Sequence, residues 1–464
     1  MSGYRIEQDS LGEMQVPAES LYGAQTARAV DNFPISGIPL SRPLLRALGL
    51  LKKHAAQTNL QLGLIPAEIA DAVIRAADEV IAGRLDEHFP VDIFQTGSGT
   101  SSNMNVNEVI ANRAARLLGQ PIGSKAVHPN DQVNLGQSSN DVFPSAIHIA
   151  CAEQLHQLLL PALEQLLQQL LEKADSFSGI LKIGRTHLQD ATPIKLGQVF
   201  SGYARQIELA HERVSVDSSG LYELPLGGTA VGTGINTHPQ FAAATITAIA
   251  RETRLPFREA TNHFEAQGAK DALVCTSSSL KGCAVSLFKI ANDIRLLASG
   301  PRCGIGELIL PAVQPGSSIM PGKINPVMAE ALLQVCAQVI GNDATVALCG
   351  LSGNFELNVM MPVMAYNTLQ SIELLSSAIR AFDEKCLGDL QADEQRCTDL
   401  LEQSLALVTA LVPEIGYDRA AELAKRAHQT GRTLRELALA DGVDAETLDR
   451  LLDPTAMTEP TTYC

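Results

Sequence analysis

The sequence has no tryptophan and only 4% aromatic residues, so any core it builds must be aliphatic. Hydrophobic residues make up 45% of its 464 positions, enough for a large buried core and for two or three domains. No apolar stretch approaches the roughly 18 uncharged residues that a membrane span needs. Tyr4, Arg5, Glu7 and Asp9 stand where a signal peptide would have its apolar region, so a cytoplasmic globular protein is expected. Cysteine pairing is missing as well. The nine cysteines (151, 275, 283, 303, 336, 349, 386, 397 and 464) form neither a C-x-x-C pair nor a framework spacing, which argues against a disulfide scaffold or an iron–sulfur cluster and leaves reduced thiols. Positive charge is scarce, with 35 Lys and Arg against 51 Asp and Glu and a formal charge of −16. That field repels nucleic acid and anionic membrane, so an anionic substrate would need a locally positive site. With no H-x-x-x-H pair and no carboxylate-rich loop, neither a metal nor another cofactor is expected.

What the sequence does hold is helical periodicity. No glycine interrupts Asn140 to Gly179, where Leu155, Leu159, Leu163, Leu166 and Leu170 recur at steps of three and four. Between Gly268 and Gly300 the residues Leu273, Leu280, Ala284, Leu287, Ala291, Ile294 and Ala298 repeat the pattern, and Val327 to Leu348 is apolar enough to be buried on several faces. Helices this long and apolar want helical neighbours, so an all-α bundle is predicted, one that further copies of the chain would complete. Prolines 17, 34, 39, 43, 66 and 90 break up the first hundred residues into loops and shorter helices. After Asp393 the chain turns polar, with short helical units at Tyr417 to His428, Thr433 to Leu439 and Ala445 to Leu452, then a frayed tail through Pro460. The predicted domains are 1–137, an N-terminal domain; 138–392, the central long-helix bundle; and 393–464, a small C-terminal helical domain. There is no internal repeat or low-complexity tract.

Four polar loops each run into a predicted helix: Gly97-Ser-Gly-Thr-Ser-Ser-Asn103, Gln137-Ser-Ser-Asn-Asp141, Gly184-Arg-Thr-His187, and Gly316-Ser-Ser-Ile-Met-Pro-Gly-Lys-Ile-Asn-Pro326, with Asn325 placed as N-cap and Pro326 as first helical residue. Helix starts offer unpaired N–H groups and partial positive charge, and nearby hydroxyls add donors, so several such ends converging would hold a dianion. Dinucleotide binding is excluded, because Gly97-Ser-Gly-Thr-Ser-Ser lacks the third glycine and Leu226-Gly-Gly-Thr-Ala-Val-Gly-Thr-Gly234 follows no βαβ unit. The stretch Ser317 to Lys323 misses two positions of a phosphate-binding loop, Ser317 standing for glycine and Ile324 for Ser or Thr, which argues against ATP.

The last of these loops resembles the signature of the fumarase and aspartase superfamily. Similarity to class II fumarase extends over nearly the whole chain, through Gln95-Thr-Gly-Ser-Gly-Thr100, His128-Pro-Asn-Asp131, Gln137-Ser-Ser-Asn-Asp141, Gly184-Arg-Thr-His-Leu-Gln-Asp190, Gly228-Thr-Ala-Val-Gly-Thr-Gly234 and Ser352-Gly-Asn-Phe-Glu-Leu-Asn358. The resemblance implies a three-domain helical fold whose central domains assemble as a homotetramer, with each active site built from three subunits. It implies reversible hydration of fumarate to (S)-malate by anti addition through an aci-carboxylate intermediate, without metal. It implies Ser317 as base, His187 as proton donor to the departing hydroxyl, Glu330 as the partner of that histidine, and Lys323 as a cation on the developing charge. Ser98, Thr100, Ser138, Ser139, Asn140, Thr186, Ser318 and Asn325 would bind substrate, and His128, Pro129, Asn130 and Asp131 would form a second dicarboxylate site near the entrance.

Aspartases resemble the same pattern but tend to carry glutamine at the position of His187 and alanine at that of Gly322, so hydration is favoured over deamination. Val327 and Met328 depart from the Thr-Gln that commonly follows the signature in fumarases. The two rival readings are aspartate ammonia-lyase or another lyase of the superfamily, and a silent structural protein of the crystallin type. Intact Ser317, Lys323, Asn325, His187 and Glu330 weigh against the second.

Overall fold

A computed structural model describes residues 3–460 of the chain. Cys464 lies outside the described residues; the other eight cysteines are free, six of them buried. Contacts divide the chain into two compact units. The first comprises the chain up to Pro161, His211–Ala284 and Val335–Ser377; the second comprises Ala162–Ala210, Val285–Gln334 and the chain from Ala378 onward.

The first unit begins with an antiparallel hairpin, β1 (Tyr4–Asp9) and β2 (Gly12–Pro17), where the Asp9 carboxylate accepts the Leu11 N–H and tightens the turn. The proline-broken first hundred residues nevertheless include a 20-residue helix, Arg42–Gln61, because Pro43 sits in its first turn, where no N–H is needed. Thr100–Leu117 follows, and Ser139–Gln154 starts on a capping box in which Ser138 and Asp141 exchange hydrogen bonds with each other's backbone. The leucine stripe then runs on through a π turn, Leu155–Leu159, into Leu160–Ser176. Pro161 lacks the N–H that a regular helix would direct at the Gln157 carbonyl, and the widened turn precedes it. Leu155, Leu159, Leu163, Leu166 and Leu170 are all fully buried, as the periodicity predicts.

In the second unit the segment around His187 is not a helix start. It is a hairpin of β3 (Leu181–Thr186) and β4 (Gln189–Lys195), which leads into the helix Leu196–Asp217. The long helices Asp271–Leu297, Val327–Gly350 and Met361–Phe382 pass through the dividing points at 284, 334 and 377. By length and composition alone the first two of these are apolar enough to cross a membrane, although charged residues such as Lys281 and Asp343 interrupt their apolar runs. Lys281 Nζ and Asp343 Oδ2 form one ion pair at 2.5 Å, and Ser277 donates to the same carboxylate. Val327–Gly350 is not buried on several faces within one chain: Ile340 and Leu348 are exposed, as are Val285 and Phe288 on Asp271–Leu297.

The C-terminal helices fall close to where the sequence places them, at Tyr417–Thr430, Leu434–Ala440 and Ala445–Leu451. They share a small core of Leu411, Leu423, Ala427, Leu434, Leu437, Ala438, Leu448 and Leu452. As far as Glu459 the tail is held in place. Thr455–Thr458 forms a 3₁₀ turn, Gln198 donates to the Thr458 carbonyl, and Lys195 pairs with Glu459.

Candidate active site

In the first unit the site is a row of hydroxyls. Gly97 is there because a Cβ at this position would lie 1.6 Å from the Val359 carbonyl oxygen. Gly99 adopts φ +74°, and a Cβ there would strike the Phe143 ring. This close packing seats Ser98 and Thr100 at the start of Thr100–Leu117, with Ser98 Oγ 2.8 Å from Thr100 Oγ1 and Thr100 Oγ1 2.7 Å from Ser139 Oγ. Ser138 caps the following helix by accepting the Asn140 N–H, and the Asn140 amide donates to the Ala230 carbonyl at 2.8 Å. Ser98, Thr100, Ser138, Ser139 and Asn140 therefore come together.

Two residues with no role in the sequence reading hold this row in place. Asp141 is fully buried; its carboxylate accepts the Ser138 N–H at 2.9 Å and the Gly227 and Thr229 N–H groups at 3.0 and 2.9 Å, tying the 227–234 glycine loop to the hydroxyl row. Burial pushes its pKa up, and those three N–H groups oppose the rise. Lys52 is buried too, donating to Asn134 and Gln137 just ahead of Ser138, and burial lowers its pKa to about 7. Asp141 stands fourth in a capping-box pattern, a local signal of its place but not of its distant partners, whereas Lys52, next to Lys53 and six residues after Arg46, carries no such signal.

His128 stands beside a cavity of about 330 Å³, lined also by Pro129, Asn130, Lys125, Glu7, Asp9 and Glu108. The three carboxylates are already engaged: Glu7 with Arg5, Asp9 with Arg28, and Glu108 with the N–H groups of Gly23, Gln25 and Thr26. His128 Nδ1 accepts the Asp131 N–H.

The second unit holds the groups suited to proton transfer. His187 and Leu188 form the two-residue tip of the β3–β4 hairpin, and both have positive φ, +55° and +62°. Such turns normally use Asn-Gly. A side chain held left-handed costs about 1 kcal/mol, so two in succession are a local strain that the rest of the hairpin must maintain. Thr186 and His187 are exposed in the single chain. The signature loop folds on itself: Gly316 N–H donates to the Lys323 carbonyl, and the Asn325 amide donates to the Gly316 carbonyl at 2.6 Å. Asn325 thus closes the loop instead of capping the helix, which begins at Val327 with Glu330 half-buried in its first turn. Ser317 Oγ accepts the N–H groups of Ile319 and Met320 at 3.2 and 3.1 Å. Ser317 and Lys323 line one cavity of about 510 Å³, and Ser318 is exposed beside them. Neither unit alone carries the whole set. Among the described residues no three His, Cys, Asp or Glu side chains gather as a metal site would require.

A family model described as "Lyase" matches residues 12–341, and one described as "Fumarase C C-terminus" matches residues 407–459. The chain is 57% identical over 457 residues to a class II fumarate hydratase of Halobacterium salinarum, covering 98% of this chain and 97% of the relative. It is 54% identical over 458 residues to a second such protein, from Bradyrhizobium diazoefficiens, again covering 98% and 97%. The solved structure of a class II fumarase from Schistosoma mansoni superposes with a TM-score of 0.96 at 40% identity, covering 99% of this chain and 100% of that one. The chain belongs to the class II fumarate hydratase family.

Proposed function

We propose that the chain catalyses the reversible anti addition of water to fumarate, giving (S)-malate, at a site to which neighbouring copies of the chain contribute. The observation that carries this reading is the turn at Ser317. Its oxygen receives two backbone N–H groups, so an alkoxide formed there meets two fixed donors, and Lys323 lies in the same loop. Such an alkoxide takes the proton from the carbon beside a malate carboxylate. The electron pair left behind flows into that carboxylate as an aci-form dianion, held by Lys323, Asn325, Ser318, Thr186 and the row Ser98, Thr100, Ser138, Ser139 and Asn140. His187, with Glu330 as its carboxylate partner, then protonates the departing hydroxide as the carbon–oxygen bond breaks. Hydration runs the same steps backwards. No step draws on a metal or cofactor.

The active assembly is a cytoplasmic homotetramer, a reading supported by the division of the site residues between two units and by the exposed apolar positions Val285, Phe288, Ile340 and Leu348. His128, Pro129, Asn130 and Asp131 form a second dicarboxylate site, the first three lining the cavity with Lys125 and Asp131 adjoining it through its N–H bond to His128. The functional subdivision is 1–137, 138–392 and 393–464, the last supported by its own apolar cluster. The test is the ultraviolet absorbance of fumarate over purified protein, with malate identified as product. Loss of absorbance is expected without ammonium; loss only with ammonium would make the protein an aspartate lyase, and no turnover of any dicarboxylate would make it a silent relative.

A further inference from the structure

A fully buried carboxylate bonds to Arg185, two residues before His187, and takes no part in the chemistry above. Glu307 is held at 0% exposure, with its N–H bonded to the Leu297 carbonyl at the end of a long helix and its own carbonyl accepting the Asp393 N–H. Its side chain meets two cations from β3. Arg185 grips both carboxylate oxygens, Nη1 to Oε2 at 3.0 Å and Nη2 to Oε1 at 2.9 Å, while Lys182 Nζ lies 3.2 Å from Oε2. In an undistorted strand, residues three apart face opposite sides and could not share one acceptor. Here the ladder slips. Lys182 pairs with Ile194 and Ile183 with Pro193, but Arg185 pairs with Asp190, so Ala191 and Thr192 together face Gly184. The extra residue adds twist, and a Cβ at Gly184 would come within 2.6 Å of the Thr192 carbonyl oxygen. Beside this bulge both long cationic side chains reach Glu307.

Beyond Arg185 the hairpin has no slack. Arg185 pairs with Asp190, Thr186 with Gln189, and the turn is only His187 and Leu188, both at positive φ. A shift of the Arg185 fork therefore passes through two rungs to the imidazole. We propose that Glu307, acting through Arg185, is the positioning residue that sets where His187 stands; this rests on the assignment of His187 as proton donor. A bidentate fork fixes direction as well as distance, which a single ammonium contact does not.

The test is kinetic, on the intact assembled protein. Glu307→Gln keeps the shape but removes the charge that both cations share. It is expected to lower kcat at least about tenfold while KM for malate stays within about twofold, the scale seen when a group orienting a reactive residue is lost. Arg185→Lys keeps a positive charge without the fork and shifts kcat in the same direction, and Arg185→Gly is expected to regain kcat on addition of millimolar guanidinium chloride. A purely structural role for Glu307 would lower the melting temperature and leave kcat per assembled protein unchanged. Wild-type kcat in both Glu307→Gln and Arg185→Lys overturns the inference. Should Glu307→Gln fail to assemble, Arg185→Lys and the guanidinium arm decide the question. His187→Asn serves as the reference: if it is crippled while the other two are not, only the positioning role falls, and if it turns over normally the assignment of His187 itself falls.

Discussion

Replacing Gly97 with alanine tests whether the hydroxyl row works as a rigid unit. The new methyl would be built 1.6 Å from the Val359 carbonyl oxygen, and that oxygen must retreat at least 1.4 Å to restore even a 3.0 Å approach. No side chain can swing away to relieve the overlap, because the obstacle is backbone. The Met361 N–H bond to the Gly97 carbonyl, 3.0 Å long, lies in the same contact and is lost with it. Overpacking of this kind costs about 2 kcal/mol and the hydrogen bond about 1, so the variant should fold with roughly 3 kcal/mol less stability. The larger effect is on function. Ser98 and Thr100 are carried by the displaced segment, and a misplacement of about 1 Å in a substrate-holding group costs on the order of a hundredfold in rate, or about 2.7 kcal/mol of transition-state stabilisation. Initial rates of fumarate absorbance change over a range of concentrations give kcat/KM, with circular dichroism and assembly mass showing that the protein is folded. Gly179→Ala, where nothing lies within 4 Å of the added carbon, is the comparison and should behave as wild type. A Gly97→Ala protein within about twofold of wild-type kcat/KM would refute the reasoning, since the loop would then have room that the geometry denies.

Ser317→Ala and His187→Asn should each cut turnover by at least about a hundredfold, the scale of lost general acid–base catalysis, and a wild-type rate in either removes that residue from its role. Asp141→Asn leaves one acceptor where three backbone N–H groups now bond. It should cost about 3 kcal/mol in urea unfolding and raise KM as the 227–234 loop loosens; unchanged stability would contradict the bonding described. His148 is buried against the Glu223 carbonyl, and burial holds its pKa at about 4, below the usual 6.5. The unfolded chain therefore binds a proton that the folded one refuses, and stability falls as pH drops from 6.5 towards 4. His148→Gln should lose about 2 kcal/mol less per subunit than wild type between pH 6.5 and about pH 5; parallel losses in the two proteins would sink that account.

The parts of this structure that could be read in advance are those governed by residues near each other along the chain. The leucine stripe from Leu155 to Leu170, the cap at Ser138 and the three short C-terminal helices each depend on spacings of three and four, and each is found close to where the pattern puts it. The β3–β4 hairpin was not legible. Its strands are six and seven residues long, its turn is His-Leu instead of Asn-Gly, and its conformation depends on Glu307, which lies 122 residues from Arg185. Asn325 is well suited to cap a helix, but the Gly316 carbonyl nine residues earlier competes for its amide and wins it. Lys52 and Asp141 escaped assignment for the same reason: their partners Asn134 and Gly227 lie 82 and 86 residues away. The motif loops carry the candidate site residues, whereas the groups that hold those loops in place are long-range and surfaced only in three dimensions.

The ion pair between Lys281 and Asp343 bears on how a cell would sort this chain. A translocon would meet each helix before its partner exists, and by length and composition alone two of these helices are apolar enough to cross a membrane, as core helices of globular proteins can also be. A charged residue near the centre of such a helix raises the cost of lateral release into lipid by about 3 kcal/mol. Lys281 and Asp343 each carry that penalty while the chain is being made, then cancel much of each other's charge once the helices pack. Replacing both with leucine would remove that cost from the separate helices and leave the finished fold without this pair of charges, of which Asp343 is nearly buried.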